Sequence, residues 1–139
     1  MGMTKLNPYL GFKGQAREAM GFYQSVFGGT VGINTYKEFG ASQDPTQDDL
    51  VMHAALEADN GIVLMASDVP DHFQYTKGTD ISVSLNGDDE GELRGYFDKL
   101  SHGGTVTMPL EKASWGDTFG MLVDRFGIAW LVNITAGQS

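Results

Sequence analysis

The sequence predicts an α+β protein in which a β-α-β-β-β unit occurs twice in tandem. Three observations support this prediction. Stretches with alternating apolar residues and stretches with helical spacing follow one another in the same order in both halves of the chain. A glycine pair and then Thr-Val follow each predicted helix, at residues 28–31 and again at residues 103–106. Glycine is frequent, with 19 residues, as the many turns of an antiparallel sheet require.

The first predicted unit covers about residues 5–68. Its helix, at residues 15–27, has apolar residues at helical spacing, and the glycine pair that follows is interpreted as a structural stop. Residues 40–49 are polar and acidic and include Pro45, so we expect an exposed, mobile loop at the rim of a cavity. The remaining segments are predicted strands: residues 6–12, 30–39, 50–58 and 62–67.

The second predicted unit covers about residues 79–135, after a linker at residues 68–78 that contains Pro70 and Gly78. A helix is predicted at residues 88–101, with Asp88 or Asp89 as its N-cap. Strands are predicted at residues 81–85, 105–110, 118–123 and 128–134. At 139 residues, we expect the two units to form a single domain that spans residues 1–139.

Charge and composition exclude several classes of partner and chemistry. The formal net charge of −9 disfavours binding to nucleic acid or to an anionic membrane surface. No apolar run is long enough to span a bilayer. The absence of cysteine excludes disulfides, thiolate metal sites and a cysteine nucleophile. Because the first residues lack the apolar stretch of a secretory signal, we expect a cytoplasmic protein.

Several phrases, in order along nearly the whole chain, resemble the PhnB-like branch of the glyoxalase/bleomycin-resistance/dioxygenase superfamily, also called vicinal oxygen chelate proteins. They are Pro8-Tyr9-Leu10-Gly11-Phe12, Ala19-Met20-Gly21-Phe22-Tyr23, Met52-His53-Ala54-Ala55-Leu56, Leu64-Met65-Ala66-Ser67-Asp68, Trp115-Gly116-Asp117-Thr118-Phe119-Gly120 and Asp124-Arg125-Phe126-Gly127-Ile128-Ala129-Trp130. The resemblance implies two β-α-β-β-β units forming curved, mostly antiparallel sheets around a cavity, a small-molecule ligand and a homodimer. It leaves the reaction open, because the superfamily includes lyases, isomerases, dioxygenases and drug-binding proteins.

The resemblance also indicates where a divalent metal would be held, and the residues at those positions are poor ligands. Metal-dependent members place a His, Gln or Glu on each of four strands. The matching positions here are Asn7, Met65, Ser82 and Leu131, with Asp80 as an alternative to Ser82. An amide, a thioether, a hydroxyl and an aliphatic side chain do not form a strong site for a hard divalent ion. We therefore predict no cofactor, although the resemblance keeps a divalent metal possible.

His53 is the best candidate for a catalytic residue. Strand alternation places Val51, His53, Ala55 and Glu57 on one face, toward the cavity, while the face of Met52 packs on the helix. His53 and Glu57 lie about 13 Å apart along a strand, too far to chelate one ion. Two interpretations remain. His53 is either a half-buried histidine with one hydrogen bond, or it contacts substrate and serves in acid–base catalysis.

The predicted ligand-binding set combines aromatic, apolar and polar side chains, as small-molecule pockets do. For Trp115 the alternative is a packing anchor between strands. The other two histidines have simpler interpretations, since His102 follows the second helix and caps its last carbonyls, and His72 is solvated in the linker. The predicted set is Tyr9, His53, Met65, Trp115 and Leu131.

Two hypotheses for function follow. The first is an enzyme whose metal site is degenerate or relocated. The second is a binding protein of the bleomycin-resistance type, which sequesters a small molecule without catalysis. The PhnB-like branch often carries a methyltransferase label, but the sequence has no glycine-rich strand-to-helix turn to hold a nucleotide-like methyl donor.

Overall fold

The computed structural model describes residues 5–42, 44–70 and 74–136 of the chain. It divides into two compact units, Met1–Thr76 and Lys77–Ser139. Each unit contains one predicted β-α-β-β-β repeat. The expectation of one domain over residues 1–139 stays a prediction.

The first unit consists of β1 (Tyr9–Phe12), α1 (Ala16–Phe27), β2 (Thr30–Thr35), β3 (Val51–Glu57) and β4 (Val63–Asp68). One turn of 3₁₀ helix, Pro45–Gln47, lies between β2 and β3. The second unit consists of β5 (Val83–Gly87), α2 (Glu90–Leu100), β6 (Thr105–Lys112), β7 (Thr118–Val123) and β8 (Ala129–Ile134). Neither α-helix within these described ranges is long and apolar enough to cross a membrane.

Both units have the same sheet topology. The strand order is β1-β4-β3-β2 in the first sheet and β5-β8-β7-β6 in the second. The first and last strands of each unit pair in parallel, and the other neighbours are antiparallel. The predicted α+β class, with tandem units and mostly antiparallel sheets, is confirmed.

In the first unit, α1 packs on β2, β3 and β4 through the apolar stripe that the sequence predicted. Alternate strand residues complete this core because side chains alternate between the two faces of a sheet. They are Leu10, Phe12, Ala54, Leu56, Leu64 and Ala66, all buried. The other side of this sheet, called the open face below, carries Tyr9, Gly32, His53, Ala55 and Met65.

In the second unit, α2 packs on β5 and β8. Asp89 is the N-cap of α2, as one of the two predicted alternatives, and its carboxylate accepts a hydrogen bond from the Glu92 amide at 3.0 Å. The buried residues of this core are Leu93, Phe97, Leu100, Leu122, Trp130, Val132 and Ile134.

The repeated glycine pairs have a steric cause. Gly28 ends α1 with φ of 76°, a backbone conformation that L-residues rarely adopt. A Cβ atom at Gly29 would overlap the carbonyl oxygen of Glu57, and one at Gly104 would overlap that of Val123. The interpretation of the glycines as structural stops is confirmed.

Several predicted boundaries and one loop differ from the structure, and β1 begins at Tyr9, three residues later than predicted. β2 ends at Thr35, where Thr35 and Glu38 exchange hydrogen bonds between side chain and backbone, and β5 begins two residues later than predicted. The loop at residues 40–49 is not uniformly exposed, because Gln47 is buried. Asp44 caps its 3₁₀ turn by accepting from the Thr46 amide, and this bond lowers the pKa of Asp44. Its mobility stays a prediction.

One face assignment on β3 was wrong. Val51 is fully buried, while Met52 is partly exposed. The cause is a β-bulge, since Asn34 pairs with His53 but the next β2 residue, Thr35, pairs with Val51. The extra residue reverses the alternation before His53. His53 and Ala55 keep the predicted face.

Candidate functional site

A row of four residues crosses the open face of the first sheet. Tyr9 pairs with Met65, Met65 with Ala55, and Ala55 with Gly32. Ala55 and Gly32 are small, and a Cβ atom added at Gly32 would meet no heavy atom within 4 Å. The row therefore forms a low floor over β3 and β2, next to the taller side chains of Tyr9 and Met65.

Tyr9 and His53 form a hydrogen-bonded pair on this face. The Tyr9 hydroxyl lies 3.0 Å from His53 Nδ1, and the ring centroids are 5.7 Å apart. His53 is half-buried, and its pairing partner on the neighbouring strand β2 is Asn34. Half-burial with one hydrogen bond is what the first interpretation of His53 described, and the role in substrate contact or acid–base catalysis stays a prediction. The structure adds that its partner is a second side chain of the predicted binding set.

This hydrogen bond couples the two nitrogens of the imidazole. When Tyr9 donates to Nδ1, the proton of neutral His53 lies on Nε2, which then donates. When Nδ1 donates to the Tyr9 oxygen, Nε2 becomes an acceptor and can act as a base. The pair is therefore able to relay a proton from the phenol to a molecule at Nε2.

Tyr36 adds a second phenol that the sequence analysis did not single out. Its hydroxyl donates to the backbone carbonyl of Asp68 at 2.8 Å. Burial raises the pKa of Tyr36, and the charges of Asp68 and of Tyr9 raise it further. Tyr36 therefore stays neutral at physiological pH. The sequence analysis did not single out Tyr36, because it placed this residue inside a predicted strand at residues 30–39. In the structure β2 ends at Thr35, one residue before Tyr36.

Asp68 holds this part of the unit together. Its buried carboxylate accepts hydrogen bonds from the Ala16 amide at 2.9 Å and the Val51 amide at 3.0 Å. These bonds join the start of α1 to the start of β3, close in sequence to His53. The sequence analysis had placed Asp68 at the start of a linker and missed this role.

The two other residues of the predicted set belong to the second unit. Leu131 is half-buried on the side of the second sheet away from α2, where it pairs with Met121 and Ser84. Trp115 lies in the connection between β6 and β7, with 63% of its surface exposed. Its ring meets Phe119 edge-on, with centroids 5.7 Å apart. Leu131 and Trp115 thus have different neighbours within this unit.

The remaining candidates have structural or unassigned roles. His102 lies after α2 with Nδ1 3.4 Å from the Asp98 carbonyl oxygen, as its predicted capping role requires. Glu57 is exposed at the end of β3. His72 lies outside the described residues.

Comparison with known proteins identifies the family. A family model described as 3-demethylubiquinone-9 3-methyltransferase matches residues 4–133. The chain belongs to this family. Protein PA1353 from Pseudomonas aeruginosa is 39% identical, with a TM-score of 0.81 over 97% of this chain and 100% of that chain. The PhnB protein from Bacillus cereus is 31% identical, with a TM-score of 0.72 over 95% of this chain and 100% of that chain. The predicted PhnB-like membership is confirmed.

The fold of this PhnB-like chain also matches the wider superfamily. A glyoxalase/bleomycin resistance protein/dioxygenase family enzyme from Burkholderia phytofirmans superposes with a TM-score of 0.60, over 91% of this chain and 95% of that chain. Its sequence identity is 15%, so the likeness concerns the fold alone.

The PhnB-like chain does not offer the ligands of a superfamily metal site. The register places Tyr9 beside Met65 and Ser84 beside Leu131, so the expected positions at Asn7 and Ser82 were two residues early. Asp80 also precedes β5. Neither corrected pair contains a carboxylate or an imidazole, and the described residues contain no group of three or more His, Cys, Asp or Glu able to hold a metal. These residues do not fit a hard divalent ion.

In the described PhnB-like units, neither helix N-terminus is free to bind a phosphate or carboxylate of a methyl donor, as the methyltransferase description would suggest. Cofactor phosphates and carboxylates often bind at helix N-termini. Here the carboxylate of Asp68 occupies the start of α1, and that of Asp89 occupies the start of α2. Both carboxylates would repel a further anion at these helix ends.

Proposed function

We propose that this protein binds a small carbonyl-bearing organic molecule on the open face of its first sheet, where the Tyr9–His53 pair exchanges a proton with it. The observation that carries the proposal is the 3.0 Å hydrogen bond between Tyr9 and His53 Nδ1 beside the low floor of Ala55 and Gly32. Such a floor accommodates an apolar body, while Nε2 of His53 meets the polar group.

The chemistry follows from the two tautomers of the pair. With Nε2 protonated, His53 donates to a carbonyl oxygen, and with Nε2 unprotonated it accepts a proton from the carbon next to that carbonyl. When Nε2 donates its proton, Nδ1 takes the proton of the Tyr9 hydroxyl. When Nε2 accepts a proton, His53 becomes an imidazolium, and its Nδ1–H remains hydrogen-bonded to the Tyr9 oxygen. Met65 supplies an apolar and adaptable wall on the side of β4.

A second candidate function is binding without catalysis. The observation that favours it is the exposure of Tyr9, at 51%. Proton transfer from carbon benefits from exclusion of water, and a half-exposed pair remains in contact with solvent. A sequestering protein needs contacts to its ligand but no such exclusion.

The test uses NMR on the intact chain with a panel of small ketones, each paired with its matched hydrocarbon. We expect ketones to shift the imidazole signals of His53 more than the hydrocarbons do. His53→Ala should abolish ketone binding and Tyr9→Phe should weaken it. His102→Ala is the matched control, because His102 lies at the end of α2 in the other unit. Unchanged ketone affinity in His53→Ala would refute the proposal.

Exchange of hydrogen beside the carbonyl for deuterium separates the two candidates. An enzyme accelerates this exchange in D₂O, and His53→Ala removes the acceleration. A sequestering protein binds the same ketones and leaves their exchange rate at the value in buffer.

A further inference from the structure

Trp115 is an exposed aromatic residue that is nevertheless fixed in place. Its exposed fraction of 63% is high for so large an apolar side chain. The indole meets the edge of Phe119 at a centroid distance of 5.7 Å and an interplanar angle of 64°. This contact orients a ring that the core does not cover.

Asp117 anchors this arrangement to the end of the second sheet. Its carboxylate accepts from the Asn133 side chain at 3.0 Å and from the Ala136 amide at 2.9 Å. The hydrogen bond from Asn133, then that from Ala136, lowers the pKa of Asp117, so it is ionised at neutral pH. Asp117 thus ties the loop that carries Trp115 to β8.

The loop itself is closed by backbone hydrogen bonds. The Ala113 amide donates to the Asp117 carbonyl at 2.7 Å, and the Gly116 amide donates to the Ala113 carbonyl at 3.0 Å. Gly116 has φ of 105°, which L-residues with a side chain rarely adopt. This sharp turn fixes the backbone from which the indole projects, and the contact with Phe119 holds the ring itself.

A groove of about 310 Å³ lies against this ring. Its lining includes Trp115, Phe119, Met108, Pro109, Glu111 and Lys112. The first four provide an apolar and aromatic surface, which suits a flat ring system. Glu111 and Lys112 carry opposite charges that offset each other. The ring faces of the groove and the net negative charge of the chain then set its charge preference.

We propose that the Trp115 groove is a binding site for a planar aromatic cation, with Asp117 as the positioning residue for the loop that carries the indole. An indole face attracts cations. The net charge of −9 adds a long-range attraction for cations and a repulsion for anions. The inference stands apart from the Tyr9–His53 proposal, because every residue it uses lies in the second unit.

The test compares three probes of similar two-ring size and different charge: N-methylquinolinium, quinoline and naphthalene-2-sulfonate. The chain has two tryptophans, so an amide and indole N–H NMR spectrum contains two indole signals, and Trp115→Phe assigns them. Trp130 serves as the internal reference, because it is buried and its indole donates to Asp124 at 2.9 Å. We expect N-methylquinolinium to shift the Trp115 signal saturably and to leave the Trp130 signal unchanged.

The expected order of affinity is cation, then neutral probe, then anion, with about a tenfold difference between cation and anion. Trp115→Ala should weaken binding of the cation by about tenfold. Asp117→Asn should weaken it by a smaller factor and move the Trp115 indole signal even without probe, which a role in stability alone would not do. Phe39→Ala is the matched control, since Phe39 is 57% exposed and lies in the first unit, and we expect it to bind as the unaltered chain does.

Three results would overturn the inference. Equal affinity for the three probes would remove the charge preference, and equal shifts of both indole signals would indicate non-specific binding. Conversion of a dimer to a monomer by Trp115→Ala, measured by light scattering, would show that a second copy of the chain occupies the groove instead.

Discussion

Replacing Asp68 by asparagine should destabilise the first unit strongly, because its carboxylate accepts two hydrogen bonds in a place that water does not reach. Ala16 and Val51, which donate these bonds, are both fully buried. A hydrogen bond to a charged group contributes about 1.5–3 kcal/mol to stability. An asparagine side chain keeps one acceptor oxygen and turns its NH₂ group toward the other amide. We expect Asp68→Asn to lower the free energy of unfolding by about 2–4 kcal/mol.

Urea denaturation followed by far-UV circular dichroism measures this loss. The dependence of the unfolding free energy on urea is about 1–3 kcal/mol per molar for small proteins. The expected loss therefore moves the unfolding midpoint down by about 1–2 M. Hydrogen exchange at the Ala16 and Val51 amides should accelerate in parallel, because these two groups lose their acceptor.

The matched control is Asp59→Asn, which alters an exposed carboxylate in the turn between β3 and β4. We expect it to change stability by less than about 0.5 kcal/mol. An Asp68→Asn variant as stable as this control would refute the reasoning, since it would mean that the two buried amides do not depend on the carboxylate.

Three further predictions concern other parts of the molecule. Because the pKa of Tyr36 is raised, its contribution to stability is present below the usual tyrosine value of 10.0 and is lost as pH rises through the raised value. Tyr36→Phe should therefore remove one phenol ionisation from the region above pH 10.0 in an alkaline absorbance titration. Gly104→Ala should destabilise the protein by more than about 2 kcal/mol in thermal unfolding, because the added Cβ would overlap the carbonyl oxygen of Val123. Gly95→Ala should instead stabilise it by about 0.5–1 kcal/mol, because Gly95 lies inside α2 with open space around it. We also expect a homodimer that shields sheet edges, and light scattering should give twice the chain mass of 15.0 kDa, while a mass of one chain across micromolar concentrations would contradict this.

The fold was predictable from sequence because its signals are local and occur twice. The stripe that α1 buries and the glycine pairs that follow both helices can be read without any knowledge of strand pairing. The errors arose where pairing decides the outcome. The bulge that buries Val51 depends on how β2 aligns with β3. No residue near Val51 in the sequence indicates that a bulge occurs there.

The sequence allowed the candidate residues to be chosen but not their contacts. Three of the five, Tyr9, His53 and Met65, lie on one face of the first sheet, while Trp115 and Leu131 lie in the second unit, and ligand binding by any of them stays a prediction. To predict the hydrogen bond between Tyr9 and His53, one would need the order of the four strands, in which β4 lies between β1 and β3. Tyr36 and Asp68 were missed because their roles come from one long-range hydrogen bond and from two amides of distant elements.

Comparison of equivalent rows in the two sheets explains why the two proposed sites differ. The row Tyr9, Met65, Ala55 and Gly32 in the first sheet corresponds in strand order to Ser84, Leu131, Met121 and Met108 in the second.

Large apolar side chains thus replace the two small residues of the first row. Phe119 is the residue equivalent to His53, because each lies two residues before the third member of its row. Phe119 packs on Trp115, whereas His53 forms a hydrogen bond with Tyr9. The same scaffold therefore offers a hydrogen-bonded tyrosine–histidine pair beside an open floor in one unit. In the other unit the floor is filled, and the exposed aromatic surface lies in the loop between β6 and β7.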